Sequence, residues 1–92
     1  MKEEILKEIL EKTNANYVKV LDTSHEHVGH RGARKDGNTH FKVVVCSDYF
    51  NDMSRVRRHK TVNDICKSFF DRGLHALSIE TLTTLEWENK YG

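Results

Sequence analysis

The chain has 92 residues, 37% of them hydrophobic and 32% charged, with a formal net charge of +1. That length makes a single domain, residues 1–92, with a modest core. The composition is that of a soluble globular protein and excludes a disordered chain. A charge so near zero also excludes a global basic field drawing in nucleic acid. No apolar run approaches the roughly 18 residues that span a bilayer, so no membrane partner is expected. The start, Met1-Lys2-Glu3-Glu4, is charged and acidic, unlike a signal or transit peptide, and the expected location is cytoplasmic. Cys46 and Cys66 stand far apart with no C-x-x-C spacing, which fits free thiols in a reducing compartment.

Residues 2–13 read as an amphipathic helix with Ile5, Leu6, Ile9 and Leu10 on one stripe. Asn14-Ala15-Asn16 is a turn, and residues 17–22 look like a strand. Residues 24–38 carry Gly29, Gly32 and Gly37, three histidines and no apolar period, and predict a long exposed loop. Residues 39–47 are the clearest strand. Phe41, Val43 and Val45 share one face, and His40, Lys42, Val44 and Cys46 the other. Asp48 to Met53 is a turn or short helix. Ser54 then caps a helix running to about Asp71, with Val62, Ile65, Cys66, Phe69 and Phe70 as its buried stripe and Gly73 at its C-terminal end. Residues 74–81 form a third strand, and Thr83 with Glu86 makes a capping box for a short last helix. The order α-β-β-α-β-α predicts an α/β (α+β) fold: a small three-stranded mixed sheet with helices packed on one face.

Six histidines is a high count for this length, and His25, His27 and His30 fall within six residues. Histidines so closely spaced can converge on one metal ion. No second tight ligand pair accompanies them, so a closed structural site is not indicated. The alternative is a solvated polar loop in which they are incidental. His75 opens the third strand, where a lone histidine is ordinarily a satisfied structural residue. Alternation groups it with Leu77 and Ile79, which predicts partial burial. Cys66 lies on the helix stripe and reads as core; Cys46 is near a strand end.

Two groups of segments carry a family likeness. One is Ser24-His25-Glu26-His27-Val28-Gly29-His30, then Thr39-His40-Phe41-Lys42-Val43, then Ser47-Asp48-Tyr49-Phe50. The other is Arg58-His59-Lys60-Thr61-Val62, then His75-Ala76-Leu77-Ser78-Ile79, then Glu86-Trp87. In order and spacing the chain resembles the BolA family over nearly its whole length. One departure is Thr84, where that family commonly has proline. The resemblance implies a fold related to the class II KH domain, a monothiol glutaredoxin as partner, and a [2Fe–2S] cluster shared with it. It also implies one ligand from the loop between the first two strands, for which His27 matches best with His30 and His25 as neighbours. His75 is the implied second ligand. Glutaredoxin's cysteine and its bound glutathione would complete the set, so the isolated chain is expected to hold no cluster.

Arg55, Arg57, Arg58, His59 and Lys60 make a basic cluster at the start of the long helix. It reads as a surface for an acidic protein partner or, as the rival, for DNA, since some BolA proteins are described as transcription regulators. No G-x-x-G stands at that helix junction to clamp a nucleic-acid backbone; Gly29-His30-Arg31-Gly32 has the letters in another place. No phosphate cradle or nucleophile motif is present, and the sequence reads as a binding protein rather than an enzyme.

Overall fold

The computed structural model describes residues 1–24 and 39–92. The chain runs α1 (Lys2–Thr13), β1 (Tyr17–Asp22), β2 (His40–Cys46), a 3₁₀ turn (Asp48–Phe50), α2 (Arg55–Ile65), α3 (Lys67–Asp71), β3 (Ala76–Leu82) and α4 (Thr84–Tyr91). His25, His27 and His30 lie outside the described residues.

The sheet order is β1-β2-β3. β1 pairs antiparallel with β2, bringing Tyr17 opposite Cys46 and Asp22 opposite Phe41. β2 pairs parallel with β3, from His40 with Ala76 to Cys46 with Leu82. The parallel pairing needs a long crossover, and α2 and α3 supply it. Period-two patterning puts Val20, Phe41, Val43 and Val45 on one face, where they bury against Ile5 and Ile9 of α1, Val62 of α2 and Phe69 of α3. Full burial of such a side chain contributes about 1.5–3 kcal/mol. The predicted α1 stripe narrows at its far end: Ile5 and Ile9 are fully buried, while Leu10 stays 39% exposed.

Local polar bonds set the element ends. Asn14 ends α1 in the left-handed conformation, with φ 50°. The Ser47 hydroxyl donates to the Thr13 carbonyl at 2.6 Å and accepts the Tyr49 N–H at 3.0 Å, so one buried side chain ties α1 to the 3₁₀ turn. Ser54 caps α2 by accepting the Arg57 N–H. Gly73, with φ 109°, turns the chain out of α3.

Two expectations are corrected. The single helix to Asp71 is two helices, broken at Cys66, whose backbone (φ −90°, ψ 4°) leaves the helical range. The break lets Cys66, Phe69 and Leu74 all enter the core. Nor do all helices share one face. The alternation that turns Val18 and Val20 inward turns Tyr17 outward, and the ring of Trp87 from α4 packs on Tyr17 at 4.7 Å. Lys90 also reaches Glu80 on that outer face, at 2.8 Å. α4 therefore crosses the side opposite the core helices.

Candidate functional site

The site forms where β2 and β3 begin. Ser24, almost fully buried, is the last described residue before the 25–38 segment, and Thr39 is the first after it. The Ser24 hydroxyl oxygen accepts the N–H groups of Thr39 and His40, both at 3.1 Å, and the Thr39 hydroxyl at 3.2 Å. Asp22 Oδ1 in turn accepts the Ser24 N–H at 2.9 Å. These bonds hold together Ser24 and Thr39, the described residues on either side of positions 25–38.

Beside Thr39 stand the two described histidines of interest. His40 opens β2, half-buried, with Nδ1 2.9 Å from the Thr39 hydroxyl. The N–H groups of His75 and Ala76 both donate to the Thr39 carbonyl, at 2.7 and 3.2 Å. The rings of His40 and His75 stack at 6.1 Å between centroids, 21° from parallel. His75 is exposed, not partly buried as alternation predicted. The physical reason is that β3 begins only at Ala76. Two successive N–H groups turned to one carbonyl break the strand alternation, and His75 falls outside the row of Leu77 and Ile79. In sequence His40 is a strand residue within one of the segments of family likeness, with nothing to join it to His75; its nearness to His75 follows from the parallel register that sets His40 beside Ala76.

The donor set can be tested against a cluster. Among the described residues no group of three or more His, Cys, Asp or Glu side chains could hold a metal ion. His40 and His75 thus offer two imidazoles at most, short of a four-ligand site. The thiols do not add to them. Burial, with Glu8 contributing, pushes the Cys66 thiol up to about 11, and burial with Asp48 raises Cys46. Buried protonated thiols are poor ligands. The arrangement fits a histidine half-site that needs donors from elsewhere.

The basic cluster divides. Arg55, Arg57, His59 and Lys60 are exposed. Arg58 is buried: its Nη1 reaches Glu86 Oε1 at 2.6 Å and its Nε donates to the Met53 carbonyl at 3.1 Å. Glu86 Oε1 also accepts the Thr83 N–H, closing the predicted capping box. The Thr83 N–H and the Arg58 guanidinium hold the Glu86 carboxyl below the usual 4.5. Arg58 therefore joins α2 to α4 and is not part of the free basic face.

A small mixed sheet with a paired-histidine corner and an exposed basic helix defines a binding domain. The chain belongs to the BolA family: the family model described as "BolA-like protein" matches residues 9–86. It is 40% identical over 79 residues to an uncharacterised protein of a Sinorhizobium species, covering 85% of each chain. It is 40% identical over 73 residues to SufE-like protein 1, chloroplastic/mitochondrial, of Arabidopsis thaliana, covering 75% of this chain and 20% of that longer one. The solved BolA domain of that plant's SufE1 superimposes with a TM-score of 0.83 at 34% identity, covering 92% of this chain and 93% of the other. The chain is also 34% identical over 84 residues to the DNA-binding transcriptional regulator BolA of Vibrio cholerae, covering 91% of this chain and 76% of that one.

Proposed function

We propose that this chain is a BolA-like adaptor of iron–sulfur cluster handling. It binds a monothiol glutaredoxin and shares a [2Fe–2S] cluster with it and its glutathione. His75 supplies one ligand and a histidine of the 25–38 segment, His27 foremost, the other. The observation that carries this reading is the corner itself, where an exposed His75 stands beside Thr39 and Ser24, the described residues that flank the stretch of sequence bearing His25, His27 and His30. A half-site of imidazoles suits a cluster whose other iron is held by thiolates, and such ligation raises its reduction potential. His40 stacks on His75 and orients it. The fold relation to class II KH domains is part of the same reading, and so is a cytoplasmic setting, which the two free cysteines favour. The BolA domain within a protein named SufE1 supports the link to sulfur chemistry.

The test is titration of the chain into a cluster-loaded monothiol glutaredoxin, followed by visible circular dichroism. A new cluster spectrum complete at one-to-one stoichiometry supports the reading. An unchanged spectrum with no heat of binding sinks it. The second reading, DNA binding through Arg55, Arg57, His59 and Lys60, is favoured by their exposure and by the name of the Vibrio relative. It predicts weak binding that falls steeply with salt.

A further inference from the structure

β3 ends the sheet: its neighbour on one side is β2, and among the described residues no strand lies on the other. The direction of its backbone groups is fixed at both ends. The Ala76 N–H goes to the Thr39 carbonyl, and the Leu82 carbonyl accepts the Ser47 N–H at 3.0 Å. In a strand, alternate residues turn their N–H and C=O to the same side. Ala76, Ser78, Glu80 and Leu82 therefore face β2, and Leu77, Ile79 and Thr81 face away. Neither Ile79 nor Thr81 has a partner for those outward groups among the described residues. An unpaired row of this kind is a template for another strand.

This edge is not flat surface. Four consecutive β3 residues, Ile79 to Leu82, floor a groove of about 490 Å³ walled by α2 on one side and α4 on the other. A lining of consecutive residues means that the groove follows the strand's edge and not one of its faces. Its carboxylates are already neutralised. Glu80 is paired with Lys90 at 2.8 Å and Glu86 with Arg58 at 2.6 Å. Among the described residues the side chains of Arg55 and His59, on the α2 wall, have no hydrogen-bond or ion-pair partner. Next to them Val56 is 80% exposed. The uncompensated charge in the groove is thus positive, with an apolar spot beside it.

We propose that the edge of β3 receives an added strand from an extended acidic peptide segment of a partner protein. The peptide's backbone pairs with Ile79 and Thr81, and its carboxylates meet Arg55 and His59. Main-chain pairing gives such complexes affinity and the flanking side chains give selectivity. A single strand of nucleic acid is the poorer fit, because such strands stack their bases on aromatic rings and track several cations. Trp87 is instead packed against Tyr17 on one side and Tyr91 on the other, both tilted, and none of the three lines the groove. The groove floor is the second half of β3, away from His75, so the proposal stands or falls independently of the cluster.

The probe is a blocked peptide of about eight residues alternating glutamate and valine, titrated into the isotope-labelled full chain. Amide exchange is read residue by residue. Saturable slowing of exchange at Ile79 and Thr81 is expected, with affinity reduced about tenfold by Arg55→Glu. Binding should vanish when the peptide is N-methylated at alternate residues on its pairing side. The proposal is overturned if millimolar peptide leaves the Ile79 and Thr81 amides unchanged, or if the N-methylated peptide binds equally well. It is likewise overturned if oligothymidylate protects these amides more tightly than the peptide does. Protection rising with protein concentration in the absence of peptide would assign the edge to a second copy and overturn it too.

Discussion

The His75 ring stacks on His40 at 6.1 Å while its own backbone N–H is anchored 2.7 Å from the Thr39 carbonyl. The imidazole is thus exposed but positioned. Substitution should separate ligation from folding. His75→Ala should change stability by no more than about 0.5 kcal/mol, as exposed substitutions do, yet remove the new cluster spectrum formed with glutaredoxin. Urea unfolding and visible circular dichroism on one preparation check both halves.

Ser24 is the clamp of that corner. Ser24→Ala leaves the N–H groups of Thr39 and His40 without their acceptor, and Thr39 is fully buried. The expected loss is about 1–3 kcal/mol, with weaker cluster sharing because Thr39 and His40 lose their common anchor. Ser24→Thr, which keeps the hydroxyl, should recover part of both.

Arg58 and Glu86 form the joint between α2 and α4. Arg58→Met should cost about 1–3 kcal/mol, because the guanidinium is buried and the Glu86 carboxylate loses a charged partner. Arg57→Met, exposed and one residue away, should be near neutral in the same denaturation experiment.

Acid should act through the same joint. The Glu86 carboxyl is held below its ordinary 4.5 by the Thr83 N–H first and by Arg58. Its stabilising contribution is therefore fully present above that value and is lost as pH falls through the lower folded value. Urea midpoints should drop as pH is lowered through and below 4.5, and Glu86→Gln should flatten part of that slope. An unaltered slope in the variant would remove Glu86 from the account.

The two cysteines should be silent toward thiol reagents in the folded protein. The Cys66 thiol is pushed up to about 11 and Cys46 is also raised, both chiefly by burial. Rapid labelling is expected only in denaturant, and fast labelling of the native chain would contradict their burial.

Much of this was legible in residue order alone. The strand Tyr17–Asp22, the faces of residues 40–46, the caps at Ser54 and Thr83 and the glycine turn at Gly73 all follow from local chemistry, which sequence displays directly. What sequence hid is non-local. The apolar stripe runs through Cys66 without a glycine or proline, so the break there comes from packing. Arg58 looked like surface charge because Glu86, which satisfies it, is far along the chain. His40 could not be joined to His75 before the parallel register of β2 and β3 was known. His25, His27 and His30 lie outside the described residues, and their part in the site remains the expectation drawn from the family likeness.

The central claim is that this chain's own imidazoles bind the shared cluster. The most direct measurement is pulsed electron paramagnetic resonance on the reduced heterocomplex, with only this chain's histidines carrying nitrogen-15. The account predicts strong nitrogen-15 hyperfine coupling that loses one component in His75→Ala. A cluster bound by the complex with no such coupling would contradict it.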